Sequence, residues 1–348
     1  MHIAFDIVGL GVVLTTVLPF VRKGYWWVRI WDFPRVQIAA VGLLDLAGLL
    51  LVGPFGALQV PIVAALAAAV GYQAYRIWPF TPLAPLQVLP SERPQPERKL
   101  CIVVANVLVQ NRETGKLLEL VRSTAPDLVL ALEPDEFWAR HLAALEAEYP
   151  FSLKYPQDNA YGMMLLSRLA LEDAEIRFLM DDDVPSFRAR VQLRSGHRVW
   201  LYAVHPRPPH TFQASFDRDA ELLIVGKEIH RRPDPSIVAG DLNDVAWSYT
   251  TRMFQRISGL MDPRLGRGLY NTFNARSRLM RWPLDHIFFD PEFRLARLER
   301  LPEIGSDHFP ILADLSFEPE GVDEQEARSR MPGDRAAARR MIREARAR

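Results

Sequence analysis

The residues of this chain that could do chemistry stand where short apolar runs begin or end. Asn106 closes VVAN, Glu133 closes DLVLALE, His205 closes YAVH, and Asp241 and Asn243 close VAGDLN. Asp285 and His286 open LDHIFF, and Asp307 and His308 stand just before the last run, FPILADLSF. Any one such residue is most often a turn former; together they make an inventory. Glu133, with Asp285 or Asp307 nearby, offers hard carboxylate oxygens. These suit Mg²⁺ or Mn²⁺, which keep waters and bind through one or two carboxylates plus a substrate phosphate. The sequence has no Cys/His cluster and no HExxH pair, which argues against zinc. Asn and neutral His can hydrogen-bond phosphate oxygens, a carboxylate can align or deprotonate a water, and a charged His can offset charge developing on phosphorus. Such an inventory would suit metal-assisted hydrolysis of a phosphodiester or phosphomonoester.

Such residues meet only if a rigid scaffold presents them at one rim. LCIVVANVLV, DLVLALE, AYGMMLLSR, FRARVQLRSG, RVWLYAVHP, SIVAGDLN, LDHIFFD and HFPILADLSF read as strands. GKLLELVRSTAP and QASFDRDAELLIVGKEIHRR read as helices. The mixture predicts an α/β fold, two packed sheets with helices outside. Cys101, in the first of these runs, reads as a core residue rather than a reactive or metal-binding thiol.

In this order and at these spacings, the stretches resemble the endonuclease/exonuclease/phosphatase superfamily, the DNase I-like fold. The resemblance covers about residues 98–317 and rests most on GDLN followed by GSDH, with HPRPP as a variant of the family's His-containing strand end. It implies a two-sheet sandwich flanked by helices and Mg²⁺ or Mn²⁺ as cofactor. Glu133 would be the principal metal ligand, Asn106 would bind the metal–phosphate end, and Asp307 would bind metal or hold an imidazole. His205 would contact the scissile phosphate, Asp241 would align or deprotonate the attacking water, and Asn243 would orient the phosphate. Asp285 would orient His205 or a neighbouring ligand, and His308 would be the general acid–base or phosphate-stabilising group. His286 reads as a core residue, Asp244 as a turn cap and Trp247 as packing at the rim.

Ahead of this region lie three apolar stretches, at about 3–21, 36–53 and 57–75. Each approaches the roughly 20 residues that span a bilayer, and none has the polar stripe of a surface helix. The first lacks the basic start and small-residue cleavage site of a signal peptide. PFG between the second and third suits a helical hairpin. The plan is a three-span membrane anchor (1–78), a Pro-rich linker (79–97), the catalytic domain (98–317) and a polar, basic tail (318–348). The leading spans resemble a bacterial membrane-anchored branch of the family. Arg22, Lys23, Arg29 and Arg35 outnumber Asp32 in the loop after the first span, where Trp26, Trp27 and Trp31 suit an interface belt. The positive-inside rule puts that loop, and everything after residue 80, in the cytoplasm, with Arg76, Arg93, Arg98 and Lys99 agreeing. The expected location is the bacterial inner membrane. Asp45, inside the second span, reads as a protonated or hydrogen-bonded group between helices.

Lys and Arg balance Asp and Glu at 42 each, so bulk charge names no partner, and no obligate protein partner is evident. Over 96–318 there are 28 basic and 32 acidic residues, a net of −4, which weighs mildly against a DNA binder that relies on phosphate contacts. Arg264, Arg267, Arg276, Arg278 and Arg281 precede the Asp285 strand, and Arg264 and Arg267 are expected to touch substrate. The expected partners are a bilayer and a phosphoester from a nucleic acid or a phospholipid head group. Endonuclease- or exonuclease-like cleavage leads; a phospholipid- or sphingomyelin-type phosphodiesterase and a silent tethered binding module are the alternatives. The tail DRAAARRMIREARAR reads as a basic helix, solvated and frayed or touching anionic lipid.

Overall fold

Alternation of side chains along β1 (Lys99–Asn106) explains why two layers of structure cover it: Ile102 and Val104 point into one apolar cluster, Val103 and Ala105 into another. The structure is a computed structural model and describes all residues except Met1, Lys23, Pro54, Phe55, Leu58, Arg93, 209–214 and Arg348. Lys23 and Arg93 of the charge argument, most of the PFG turn and Pro209 of HPRPP therefore lie outside the described residues.

Among the described residues the other strands are β2 (Leu128–Leu132), β3 (Phe151–Tyr155), β4 (Met163–Ser167), β5 (Leu171–Phe178), β6 (Pro185–Gln192), β7 (Arg198–Ala203), β8 (Ser236–Asp241), β9 (Asp285–Phe289), β10 (Phe293–Arg300) and β11 (Ile311–Phe317). They form a six-stranded sheet in the order β10-β11-β1-β2-β4-β3 and a five-stranded sheet in the order β5-β6-β7-β8-β9. The sheets face each other through buried Leu100, Ile102, Leu130 and Val104 on one side and Leu201, Ala203, Ile237 and Ala239 on the other. Helices α5 (Thr114–Thr124) and α6 (Glu136–Leu142) cover the outer face of the first sheet, and α7 (Phe216–Ile229) and α8 (Tyr249–Ser258) that of the second. This is the expected two-sheet sandwich.

Register, more than proximity in sequence, assembles the rim. In the parallel β1–β2 pair Asn106 lies opposite Leu132, one residue before Glu133. The parallel β7–β8 pair sets Ala203 opposite Ala239, and the antiparallel β8–β9 pair sets Asp241 opposite Asp285.

The tail is ordered, contrary to the frayed end expected. Helix α9 (Asp334–Arg346) buries Ala338, Ile342 and Ala345 against Leu223, Met253 and Ile257. Their i, i+4, i+7 spacing is an apolar stripe hidden among arginines. Both carboxylate oxygens of Asp334 accept hydrogen bonds from Arg256 at 2.8 Å. The Pro-rich segment is likewise not a free linker: Val88 is buried in the core, Ser91 N–H donates to Leu295, and Leu89 N–H donates to Gln325.

The N-terminal region comprises α1 (His2–Val17), the short α2 (Trp26–Arg29), α3 (Arg35–Val52) and α4 (Gln59–Ile77). Three segments, Ile3–Phe20, Arg35–Val52 and Gln59–Phe80, are long and apolar enough to cross a membrane. They pack through Val12, Ile38, Leu49, Leu66 and Val70, and Asp45 is buried between helices beside Gly9. The loop between the first two of these helices docks on the two-sheet domain. Trp247, expected at the rim, is buried there; its indole N–H donates to the Asp32 carbonyl at 2.6 Å and its ring meets Phe80 edge-on.

Ile342→Ala should lower the stability of the domain by about 2–3 kcal/mol, read as a drop in melting temperature of the detergent-solubilised chain. Arg256 holds the Asp334 carboxyl below its ordinary value of 3.8. A depressed carboxyl stabilises the fold above that ordinary value and ceases to do so as pH falls through its lower folded value. Asp334→Asn should therefore lower the melting temperature at neutral pH, and the gap from the parent should close as the pH falls below 3.8 and through the lower folded value.

Candidate active site

Two glycines let the rim close. Gly240 has φ +145°, and a Cβ there would lie 1.9 Å from the Val204 carbonyl oxygen. Only glycine allows β8 to come so near the chain leaving β7, and that approach brings His205 beside Asp241. Gly162 likewise passes the Pro134 carbonyl, 2.0 Å from where its Cβ would be, and its own carbonyl accepts from the Glu133 N–H at 2.8 Å. Glu133 itself adopts φ +63°, a backbone cost that a non-glycine residue bears only when its surroundings hold it there.

Six polar side chains converge. His308 Nδ1 donates to Asp285 Oδ2 at 2.8 Å, while its Nε2 lies 3.6 Å from Asp241 Oδ2. His205 Nε2 approaches the same Asp241 oxygen at 3.8 Å and Glu133 Oε1 at 4.0 Å. Asn106 donates one amide N–H to Glu133 Oε1 at 2.8 Å and another at 3.4 Å to Asp241 Oδ2. All but Glu133 are nearly inaccessible. Burial alone would discharge His308, but Asp285, Asp241 and Asp307 outweigh it and hold the imidazolium up at about 10. Burial raises Asp241 above the ordinary carboxylate range, with His308 opposing it. The result is a charged imidazole clamped between two carboxylates.

Several expected roles move. Of the two partners expected for Asp285, His205 or a neighbouring group, it takes the neighbour, His308. Asp307 is half-buried; Ser306 Oγ approaches its Oδ1 at 3.5 Å, and its carbonyl accepts from Ala275 N–H, so the imidazole is held by Asp285 instead. The Asn106 side-chain Oδ1 accepts from Leu108 N–H at 3.0 Å, which turns its amide N–H groups onto Glu133 and makes this residue a clamp. The Asn243 N–H closes a turn onto Asp241 Oδ1 at 2.8 Å, and its side-chain amide donates to Pro206 at 3.0 Å. Arg264, expected to reach substrate, is 2% exposed. It is bonded to Asp262 through Nε and Nη2 and donates to His286 Nδ1, so a buried acid claims it before any ligand could. Arg267 donates to the Pro263 and Val88 carbonyls. His286 is interior as expected; burial and Arg264 push its pKa well below 6.5, and its Nε2–H donates to the Asp244 carbonyl at 2.8 Å.

Asp244 is more than a turn cap. It accepts from Ser248 Oγ, from Thr251 Oγ1 at 3.1 Å and from its neighbour's N–H, with Arg29 at 3.5 Å and Arg218 at 3.6 Å. Three further residues carried no sequence signal of their own. Tyr161 lies 5.9 Å from the His205 ring, and Phe273 lies 4.9 Å from the His308 ring. Thr272 Oγ1 accepts from Leu284 and Asp285 N–H groups, pinning the start of β9.

A hard divalent cation fits at the accessible edge, where Glu133 offers a carboxylate that Asn106 links to Asp241. The ligand atoms of Asp241, Asp285 and His308 also lie within 4.8 Å of one another, but there the charged imidazole of His308 takes the place of a metal. Asp285 Oδ1 and His205 Nδ1 are buried with no hydrogen-bond partner among the described residues, two polar atoms that the protein itself leaves unsatisfied.

Residues 103–308 match the Endonuclease/Exonuclease/phosphatase family. Among solved structures, *D. rerio* TDP2 complexed with a single-strand DNA product is 19% identical, covering 63% of this chain and 99% of that one with a TM-score of 0.52. The human Nocturnin catalytic domain with bound sulfate is 17% identical, covering 64% and 95%, TM-score 0.53. The endonuclease/exonuclease/phosphatase from *Beutenbergia cavernae* is 18% identical, covering 64% and 72%, TM-score 0.51. At these identities the likeness is one of fold. No curated protein matches the chain.

A raised imidazole stabilises the fold fully below its unfolded value near 6.5 and ceases to do so as pH rises through about 10. Asp285→Asn should drop the His308 titration, followed by NMR of labelled His in metal-free protein, toward or below that unfolded value. Gly240→Ala should cost about 3 kcal/mol or more, since a backbone carbonyl cannot step aside, and should lower the melting temperature accordingly.

Proposed function

From the membership of this chain in the endonuclease/exonuclease/phosphatase family, a family of phosphoester hydrolases, we propose that it cleaves a phosphodiester with the help of Mg²⁺ or Mn²⁺ from a membrane-tethered domain. The observation that carries this reading is the charged His308 held between Asp285 and Asp241, with His205, Asn106 and Glu133 facing the same space. Glu133 would hold the cation, steadied by Asn106. A bound divalent cation supplies charge neutralisation at the phosphate and a Lewis acid for the departing oxygen. Asp241 aligns an attacking water and takes its proton through Oδ2, the oxygen that both imidazoles face. His308 and His205 donate to the non-bridging oxygens and offset the charge that builds on phosphorus. Asp285 keeps His308 charged and correctly turned, and Asn243 shapes the turn that aims Asp241.

A nucleic-acid strand is the first substrate to test, since the *D. rerio* TDP2 structure of the same fold holds a DNA product. The three helices read as membrane spans, in the manner of a bacterial membrane-anchored branch. By the positive-inside rule, the basic loop after the first span supports a cytoplasmic domain at the inner membrane. The phospholipid reading is favoured by one observation, the contact of a loop beside His308 with the base of a span.

The purified chain, stripped with EDTA, should regain hydrolysis of a single-stranded oligonucleotide or nicking of supercoiled plasmid when Mg²⁺ or Mn²⁺ is added. Asp241→Asn and His308→Ala should each lower kcat by about 10³-fold, and Asp285→Asn by about 10- to 100-fold. Full activity in Asp241→Asn, or activity indifferent to EDTA, would refute the assignment.

A further inference from the structure

Residues 274–282 connect two parts of the molecule that the active site alone does not join. At one end the segment is tied to the catalytic histidine: Ala275 N–H donates to the Asp307 carbonyl at 2.7 Å, and Phe273, just before it, lies against both His308 and Trp282. At the other end it meets the anchor. Gln37, in the first turn of a candidate span, donates to the Leu279 carbonyl at 2.7 Å, and Phe33 meets Trp282 edge-on. The depth of Leu279 relative to the spans is thereby set by a hydrogen bond to one of them.

At that depth the loop turns apolar side chains outward. Leu279 is 81% exposed and Met280 47%. Single exposed apolar residues are ordinary, but this pair continues a belt of exposed Trp27, Ile30 and Trp78 at the same end of the bundle. Arg276 and Arg278 are exposed beside them with no acidic partner among the described residues. Apolar tips flanked by unpaired arginines are the composition of a segment that lies in a lipid interface. A nucleic-acid strand would use the arginines and leave Leu279 and Met280 in water.

We infer that residues 276–281 form an interfacial membrane-contact loop, with Leu279 and Met280 in the acyl boundary and Arg276 and Arg278 on anionic head groups, so that the active site beside His308 opens at the bilayer surface. This rests on reading the three helices as spans, and it narrows the phosphoester reading to substrates presented at a membrane.

The test uses the full chain in nanodiscs of phosphatidylcholine and phosphatidylglycerol, with and without brominated acyl chains, in a Cys101→Ser background. A fluorescent NBD label is placed in turn at Leu279→Cys, at Leu51→Cys on the lipid-facing side of a span, and at Asp323→Cys beyond the far end of β11. Bromolipid should quench the labels at 279 and 51 but not at 323, and adding Arg276→Glu with Arg278→Glu should at least halve the quenching at 279. Quenching at 51 without quenching at 279 would overturn the loop's role while leaving the anchor intact. No quenching at either would overturn both. A label at 279 that ignores bromolipid but responds to a single-stranded oligonucleotide would assign the loop to nucleic acid and overturn the proposal. None of these readouts uses hydrolysis, so they stand apart from whether the site cleaves phosphoesters.

Discussion

The β8–β9 register places Asp241 and Asp285 opposite each other in the interior, and two buried carboxylates at that separation cannot both remain charged without a cation between them. His308 is that cation. It arrives from the segment before β11, in the other sheet, so the charge balance of the site requires both layers of the sandwich to close. Asn106 and Glu133 come from the first sheet as well, and His205, Asp241 and Asp285 from the second. A buried ion triad of this kind contributes little net stability; what it provides is a preorganised field at the rim where Glu133 and His205 also face.

Behind the Asp241 turn a second buried network extends this constraint to the N-terminal helices. Asp244 sits two residues beyond Leu242 in the turn that carries Asp241 and Asn243, and its carboxylate lies against Arg29 and Arg218. Arg218 in turn donates to the Asn243 carbonyl at 2.7 Å. Arg29 reaches Asp32, Asp32 binds Arg35 at 2.6 Å, and Arg35 donates to Gln73 in α4 at 3.0 Å. The loop that read as a basic patch at a membrane surface is thus part of the support for the turn that carries Asp241 and Asn243. Without it, Asp244 would lose one of its two buried cations, a loss felt at the neighbouring Asp241 turn.

How much of this was legible beforehand depended on how local each signal is. Strand ends and the GDLN and GSDH stretches are local, so Asp241, Asp285 and His308 could be singled out from the chain. Pairing is not local: nothing near Asp285 says that its partner is His308 rather than His205, because β8–β9 register and the approach at Gly240 decide it. Arg264 misled for the same reason. A run of arginines reads as a surface, but Asp262 and His286 lie where they can fold one of them inward. In the tail, six arginines masked the Ala338, Ile342 and Ala345 stripe, which becomes visible only against the groove between α7 and α8.

By itself, the sequence determined the class of fold, the apolar length of three helices and the residue types available at the rim, since periodicity, span length and side-chain chemistry are properties of the chain alone. The tertiary structure decided which acid holds which base, which arginines are withdrawn from solvent and how the N-terminal helices meet the Asp241 turn. These are contacts between residues far apart in the chain, and their energies depend on burial and on partners that only the packed sandwich supplies.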